Sequence, residues 1–211
     1  MELKIEGFAD GDWIPERYAF AVPDPEQHMQ FAANRNPGLN WQDVPEKTAS
    51  LVLLCYDDDV PARADDVNQA DRTIAKDFER TRFYHWVMVD LAVSLDHIAE
   101  GSVSDGITKG GKPNPPAPDN ARQGLNDYTG FMAGDPELGG QYFGYDGPCP
   151  PWNDERMHHY HFVLYATDLE RCPVKGDFTG AEVEQALKGH ILAKTEVTGR
   201  YSLYPALLQS S

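Results

Sequence analysis

Three consecutive aspartates, Asp57, Asp58 and Asp59, close an apolar run that starts at Leu51 and reads LVLLCYDDDV before Pro61. The run has the length of a buried strand, and carboxylates at its end sit where desolvation makes charge expensive. They need water, hydrogen-bond donors or a ligand. Two histidine-bearing segments offer the complementary chemistry. Alternation in HWVMV puts His85 on the face of Val87 and Val89, and in HHYHFVL it puts His158 and Tyr160 on the face of Phe162. If residues 57–59 stay extended, Asp57 and Asp59 also point the same way. Acid, imidazole and phenol at the ends of core strands can hold a small ligand and share a proton with it near neutral pH. A lone histidine at a strand end is more often a satisfied structural residue than a ligand, and paired aspartates after a strand are more often a turn. The recurrence of these groups at several strand borders is what favours a common site.

Gly147-Pro148-Cys149-Pro150-Pro151 adds a stiff wall poor in N–H donors, because each proline fixes φ and cannot donate. Alone it reads as a polyproline surface loop, but it ends seven residues before His158 and so shapes the approach to it. Cys149 lies between prolines with no evident activating base, which disfavours a catalytic thiol. Residues 109–147 are dense in Gly, Pro, Asn and Asp with little periodicity. So long an irregular stretch either lines a site or is a surface excursion.

The elements that must position these groups are mostly strands. Segments 18–22, 50–56, 85–92, 160–167 and 196–204 alternate or run apolar between turn residues, which predicts a β-rich body with long loops. Two helices are predicted. One covers 71–81; the other starts at Thr179, with Glu182 completing a capping box and Val183, Leu187 and Ile191 forming one stripe.

At 211 residues the chain suits one domain spanning 1–211. A formal charge of -16 argues against nucleic acid or an anionic membrane as partner. The acidic residues read as a solvated coat. Cys55, Cys149 and Cys172 form no C-x-x-C pair, so neither a disulfide framework nor a structural zinc is expected, and a reducing compartment fits. Without a signal-like N-terminus or an apolar run of membrane length, the expectation is a cytoplasmic protein with no stable membrane insertion.

At these residues the sequence resembles the phosphatidylethanolamine-binding protein family, in its bacterial and archaeal Raf kinase inhibitor-like branch. Asp57-Asp58-Asp59-Val60-Pro61 resembles D-P-D-x-P, His85-Trp86 the H-W element, and Gly147 through Tyr160 the G-P-x-P-P followed by H-x-Y. Asn36-Pro37-Gly38-Leu39-Asn40-Trp41, Leu125-Asn126-Asp127-Tyr128, residues 188–193 and Gly199-Arg200-Tyr201 extend the match in order over nearly the whole chain. The resemblance implies a large antiparallel sheet packed on a smaller one with few peripheral helices. It also implies a pocket made by Asp57, Asp59, Pro61, His85, Pro148, Pro150, His158 and Tyr160, which takes small anions or a phosphorylated head group. No cofactor is expected, and the resemblance further implies pairing into a homodimer and, from eukaryotic relatives, ligand-gated regulation of a kinase or protease. Asp58 replaces a usual proline, Leu125 a usual arginine, and residues 62–84 form a longer, more acidic insert that covers either the pocket or a dimer surface.

Two aspartates beside an anion require a shared proton. The expected arrangement has His85, His158 and Tyr160 donating to the anion, Asp57 protonated or orienting a histidine, and Asp59 ordering the loop. The competing class is a metal-assisted hydrolase using the same Asp/His set, against which stands the lack of a dense ligand motif such as H-E-x-x-H.

Overall fold

The computed structural model describes residues 1–113 and 115–208. Ten strands and three short helices follow in the order β1 (Glu2–Ile5), β2 (Ala21–Asp24), β3 (His28–Phe31), β4 (Leu39–Gln42), β5 (Ser50–Pro61), β6 (Arg80–Leu91), β7 (His97–Ile98), β8 (Arg122–Gln123), α1 (Tyr128–Phe131), β9 (His158–Thr167), α2 (Gly180–Ala186), β10 (Ile191–Tyr201) and α3 (Pro205–Leu208). A five-stranded sheet runs β10-β9-β5-β6-β8 with antiparallel pairing throughout. A three-stranded sheet, β1-β4-β7, and the β2-β3 hairpin complete the β structure.

Both faces of the large sheet are covered, which explains why its central strand is apolar without alternation. Leu51, Leu53 and Cys55 join Trp86, Met88, Phe162 and Leu164 in a core with Leu3, Ile5, Leu39 and Trp41 of the small sheet. Val52, Leu54 and Tyr56 face the other way, against Val87, Val163, Phe178, Val183 and Leu187. Asp57 comes at the point where this double cover stops. No helix among the described residues is long and apolar enough to cross a membrane.

The capping box at Thr179 and Glu182 is present, each residue satisfying the other's backbone N–H. The helix it starts is shorter than the stripe predicted: Gly189, at φ 84°, turns the chain, and Ile191 opens β10 with its side chain exposed. The predicted helix over 71–81 does not form. Ile74 instead makes a bridge to Asp154, and β6 begins at Arg80. This segment lacks an apolar stripe to bury, so its backbone finds partners in a neighbouring loop instead. The strand predicted over 18–22 begins only at Ala21, because Glu16–Tyr18 is a turn of 3-10 helix.

Candidate functional site

Strand register assembles the site. Asp57 lies opposite Tyr160 on one side and opposite Phe83 on the other, so residues distant in sequence share a row across the sheet. His158 lies one side-chain repeat from Tyr160 on β9, and His85 one from Phe83 on β6. The His85 and Tyr160 rings meet edge to face with centroids 5.0 Å apart. They border a cavity of about 520 Å³, also lined by Asp57, Val60, Pro61, Phe83, Asp127, Tyr128, Phe131, Pro150, Pro151 and His158.

His158 is enclosed by acid on both edges. Its Nδ1 lies 2.6 Å from Asp57 Oδ2 and its Nε2 3.1 Å from Asp154 Oδ2. A neutral imidazole has one N–H, so two carboxylate partners call for the imidazolium. Burial alone would depress its pKa, but Asp57 and Asp154 outweigh burial and raise it to about 9. Arg80 extends the chain of alternating charge by gripping Asp154 with Nη1 at 2.5 Å and Nη2 at 3.1 Å. Burial would raise the Asp154 pKa, but the bonds from His158 and Arg80 leave it lowered. His158 therefore offers no free N–H, which corrects the expectation that both histidines donate to a ligand. Asp57 is the residue that orients the histidine.

His85 is the opposite case. Its Nδ1–H donates to the backbone carbonyl of Asp146 at 2.8 Å, which fixes the tautomer and leaves Nε2 with a lone pair. Burial lowers its pKa to about 4, despite the nearby Asp57 charge. Among the described residues, the one buried side-chain polar atom without a partner is the Thr48 hydroxyl. Among the described residues the Tyr160 hydroxyl has no hydrogen-bond partner, so it opens to the cavity that Tyr160 lines; the His85 ring, which also interacts with the Gly147 backbone, lines the same cavity. Burial also holds the Tyr160 phenol well above its ordinary range, keeping the hydroxyl a donor.

Two expected residues lie outside the cavity lining. Pro148 is buried with its carbonyl accepting from Phe20 and Ala21 N–H, so the proline wall meets the cavity through Cys149, Pro150 and Pro151. Asp59 is turned away by a register shift between Asp57 and Val60, where the Asp59 N–H closes onto Asp57 Oδ1 at 2.7 Å. Its carboxylate takes Arg156 Nε at 2.5 Å and His159 Nδ1 at 2.8 Å. Against the effect of burial, these bonds bring its pKa down to about 2. The Cys149 thiol is pushed up to about 12 by burial, so it stays protonated.

The long irregular stretch is fastened under His85. Buried Asp146 receives Asn34 Nδ2 and Asn126 Nδ2, each at 2.7 Å, and Lys112 Nζ at 3.1 Å. Lys112 also donates to the Tyr145 carbonyl. Gly147 follows Asp146 directly; a Cβ there would lie 1.9 Å from the Tyr18 carbonyl oxygen, so only glycine fits. Nothing in residue type or spacing singles out Arg80, Asp146 or Lys112, because each acts through a partner far away in sequence; Asp154 lies only four residues before His158, but it precedes β9, where no strand period applies.

The acidic insert forms part of the cavity wall through Ala62, Ala64, Val67 and Asn68. Asn153 secures it, donating to the carbonyls of Asp66 at 2.8 Å, Gln69 at 3.3 Å and Arg72 at 3.0 Å while accepting Asn68 N–H at 2.9 Å.

The sequence profile of the phosphatidylethanolamine-binding protein family matches residues 4–202. The chain belongs to this family. Among curated relatives, the UPF0098 protein YbhB of Escherichia coli is 29% identical over 96% of this chain and all of its own length. A UPF0098 protein of Aquifex aeolicus is 27% identical, over 95% of this chain and 88% of its own. A crystal structure described as a putative phosphatidylethanolamine-binding protein homolog, CT736 of Chlamydia trachomatis, superposes with a TM-score of 0.61 at 28% identity and covers 95% of this chain and 96% of that one. Escherichia coli YbcL shares the fold, with a TM-score of 0.66 at 23% identity over 95% of this chain and 97% of its own. The mainly β architecture and two-sheet core are thus those of phosphatidylethanolamine-binding proteins.

Proposed function

We propose that this member of the family binds a small acid of the phosphate-monoester type in the His85–Tyr160 cavity and releases it unchanged. The observation that carries the proposal is the Tyr160 hydroxyl, without a hydrogen-bond partner among the described residues, set beside the His85 ring, whose Nδ1 is committed to Asp146 and whose Nε2 is the nitrogen left for a ligand. A phenol donates to a ligand oxygen. An imidazole lone pair cannot meet an oxyanion without a proton between them, so the ligand arrives with a P–OH or His85 takes a proton on binding. The His158 imidazolium behind Asp57 supplies positive charge, and among the described residues no arginine or lysine lines the cavity. Turnover is disfavoured by the same geometry: the Cys149 thiol is protonated, and an imidazolium held on both edges has no lone pair for a metal or a proton transfer.

Calorimetric titration with inorganic phosphate between about pH 5.5 and 8.5, a range spanning the reference histidine pKa near 6.5, tests the proposal. The expected affinity falls with pH, approaching about tenfold per pH unit where one proton is taken up. His85→Ala and Tyr160→Phe each weaken binding. A flat affinity profile, or full binding in both variants, contradicts it.

A further inference from the structure

The cavity is much larger than an oxyanion. At about 520 Å³ it falls within the roughly 300–1,000 Å³ range of sites for drug-sized ligands, whereas one water occupies about 30 Å³ of liquid. His85, Phe83 and Thr81 are alternate residues of β6 on the cavity side, covering about 13 Å of strand. His85 and Tyr160 meet at one end of this run; the lining also holds apolar Phe83, Val60, Pro61, Ala62, Ala64 and Val67, with Asn68, Thr81, Asp127 and Thr129 among them.

An aromatic cluster marks the middle of this run. Phe83 stands edge-on to Tyr128 with centroids 5.3 Å apart and to Phe131 at 6.4 Å, and Tyr128 and Phe131 meet edge-on at 6.4 Å. Phe83 is also 4.9 Å from the His85 ring, so a group held by His85 lies within one ring's reach of the cluster. Phe131 is 51% exposed although it lines the cavity. A half-exposed phenylalanine beside two other rings is an apolar surface with no protein partner over it. Ala62, Ala64, Val67 and Asn68, from the segment that Asn153 holds, line the same cavity.

We infer that the site takes an amphiphilic acid: an acidic head at His85 and Tyr160, joined to an uncharged aryl body seated between Phe83 and Phe131 on one side and Val67 on the other. This deepens the acid-binding proposal and rests on it. Aromatic surfaces favour offset or edge-to-face contact with another ring, and removing a phenyl group from water adds affinity that inorganic phosphate cannot gain. The insert is then a specificity element that sets which body fits.

Calorimetry on the full chain at pH 6 with inorganic phosphate, phenyl phosphate and phosphocholine separates the possibilities. The inference predicts that phenyl phosphate binds at least tenfold tighter than inorganic phosphate and that phosphocholine gains less than threefold. In Phe131→Ala and Val67→Glu, phenyl phosphate falls to the affinity that inorganic phosphate has for the same variant. Should Val67→Glu fail to fold, Phe131→Ala decides, because its side chain is half exposed. Phenyl phosphate within twofold of inorganic phosphate, or phosphocholine gaining as much as phenyl phosphate, overturns the inference and leaves acid binding intact. If neither inorganic nor phenyl phosphate binds, the acid-binding proposal falls and the inference with it.

Discussion

The Asp146 backbone carbonyl accepts the Nδ1–H of His85 at 2.8 Å, while the Asp146 carboxylate, on the same residue, takes Asn34, Asn126 and Lys112. One residue therefore joins the loop network to the histidine that faces the cavity. The ring cannot flip without giving up a buried hydrogen bond, so Nε2 is held toward the ligand space.

His85 and His158 pull stability in opposite directions with pH. The His158 pKa, about 9 in the folded chain against a reference near 6.5, gives a contribution fully present below pH 6.5 and lost as pH rises through 9. The His85 pKa, about 4, gives the reverse: the unfolded chain takes a proton that the folded chain refuses, so stability falls from pH 6.5 toward 4. Each limb is on the order of 3 kcal/mol. Urea unfolding across this range should peak near pH 6.5. His85→Gln should flatten the acid limb and His158→Gln the alkaline one; a variant that shifts both limbs equally contradicts the assignment.

Asp154→Ala leaves the buried His158 and the Arg80 guanidinium, whose side chain is 9% exposed, without their shared carboxylate. The expected loss is about 3–5 kcal/mol. Asp59→Ala should cost less, because its Arg156 partner is 43% exposed and regains water. Equal losses in thermal unfolding would show that burial of the cation does not decide the outcome.

Much of this was legible in advance, for identifiable reasons. The apolar run from Leu51 and the alternation around His85 and His158 are local patterns, and the strands they imply are present. The capping box at Thr179 is likewise local. What local pattern could not show is register: the shift after Asp57 turns Asp59 toward Arg156, and the bonds of Phe20 and Ala21 to the Pro148 carbonyl set which prolines meet the cavity. The 71–81 segment misleads because its backbone is satisfied by residues 153–155, a contact that no periodicity encodes.

Asn153→Ala should release the insert. Removing the amide leaves the carbonyls of Asp66 and Arg72 and the N–H of Asn68 without this partner, at about 1–3 kcal/mol. Limited trypsin digestion should then cut faster at Arg63, Arg72 or Lys76, at least tenfold. An unchanged cleavage rate would mean that other contacts hold the insert.

Gly147→Ala places a methyl group into the Tyr18 carbonyl, on a segment whose own carbonyl accepts from the Tyr128 hydroxyl at 2.6 Å. The closest obstacle is the Tyr18 backbone, which has no side chain to yield, with the buried Tyr145 hydroxyl next at 3.0 Å, and a loss of about 3 kcal/mol or more is expected. A drop in thermal midpoint of less than about 4 °C would show that the wall can move.

The central claim is that His85 presents an unprotonated Nε2 to the cavity and gains a proton, or a hydrogen bond from one, when an acid binds. Nitrogen-15 NMR of the histidine rings at pH 6.5, recorded with and without saturating phosphate, addresses it directly. The account predicts a neutral Nδ1–H tautomer for free His85, a doubly protonated His158 in both states, and a large phosphate-dependent shift confined to His85 Nε2. An Nε2–H tautomer in the free protein, or an unmoved His85 signal in the phosphate-bound protein, would contradict it.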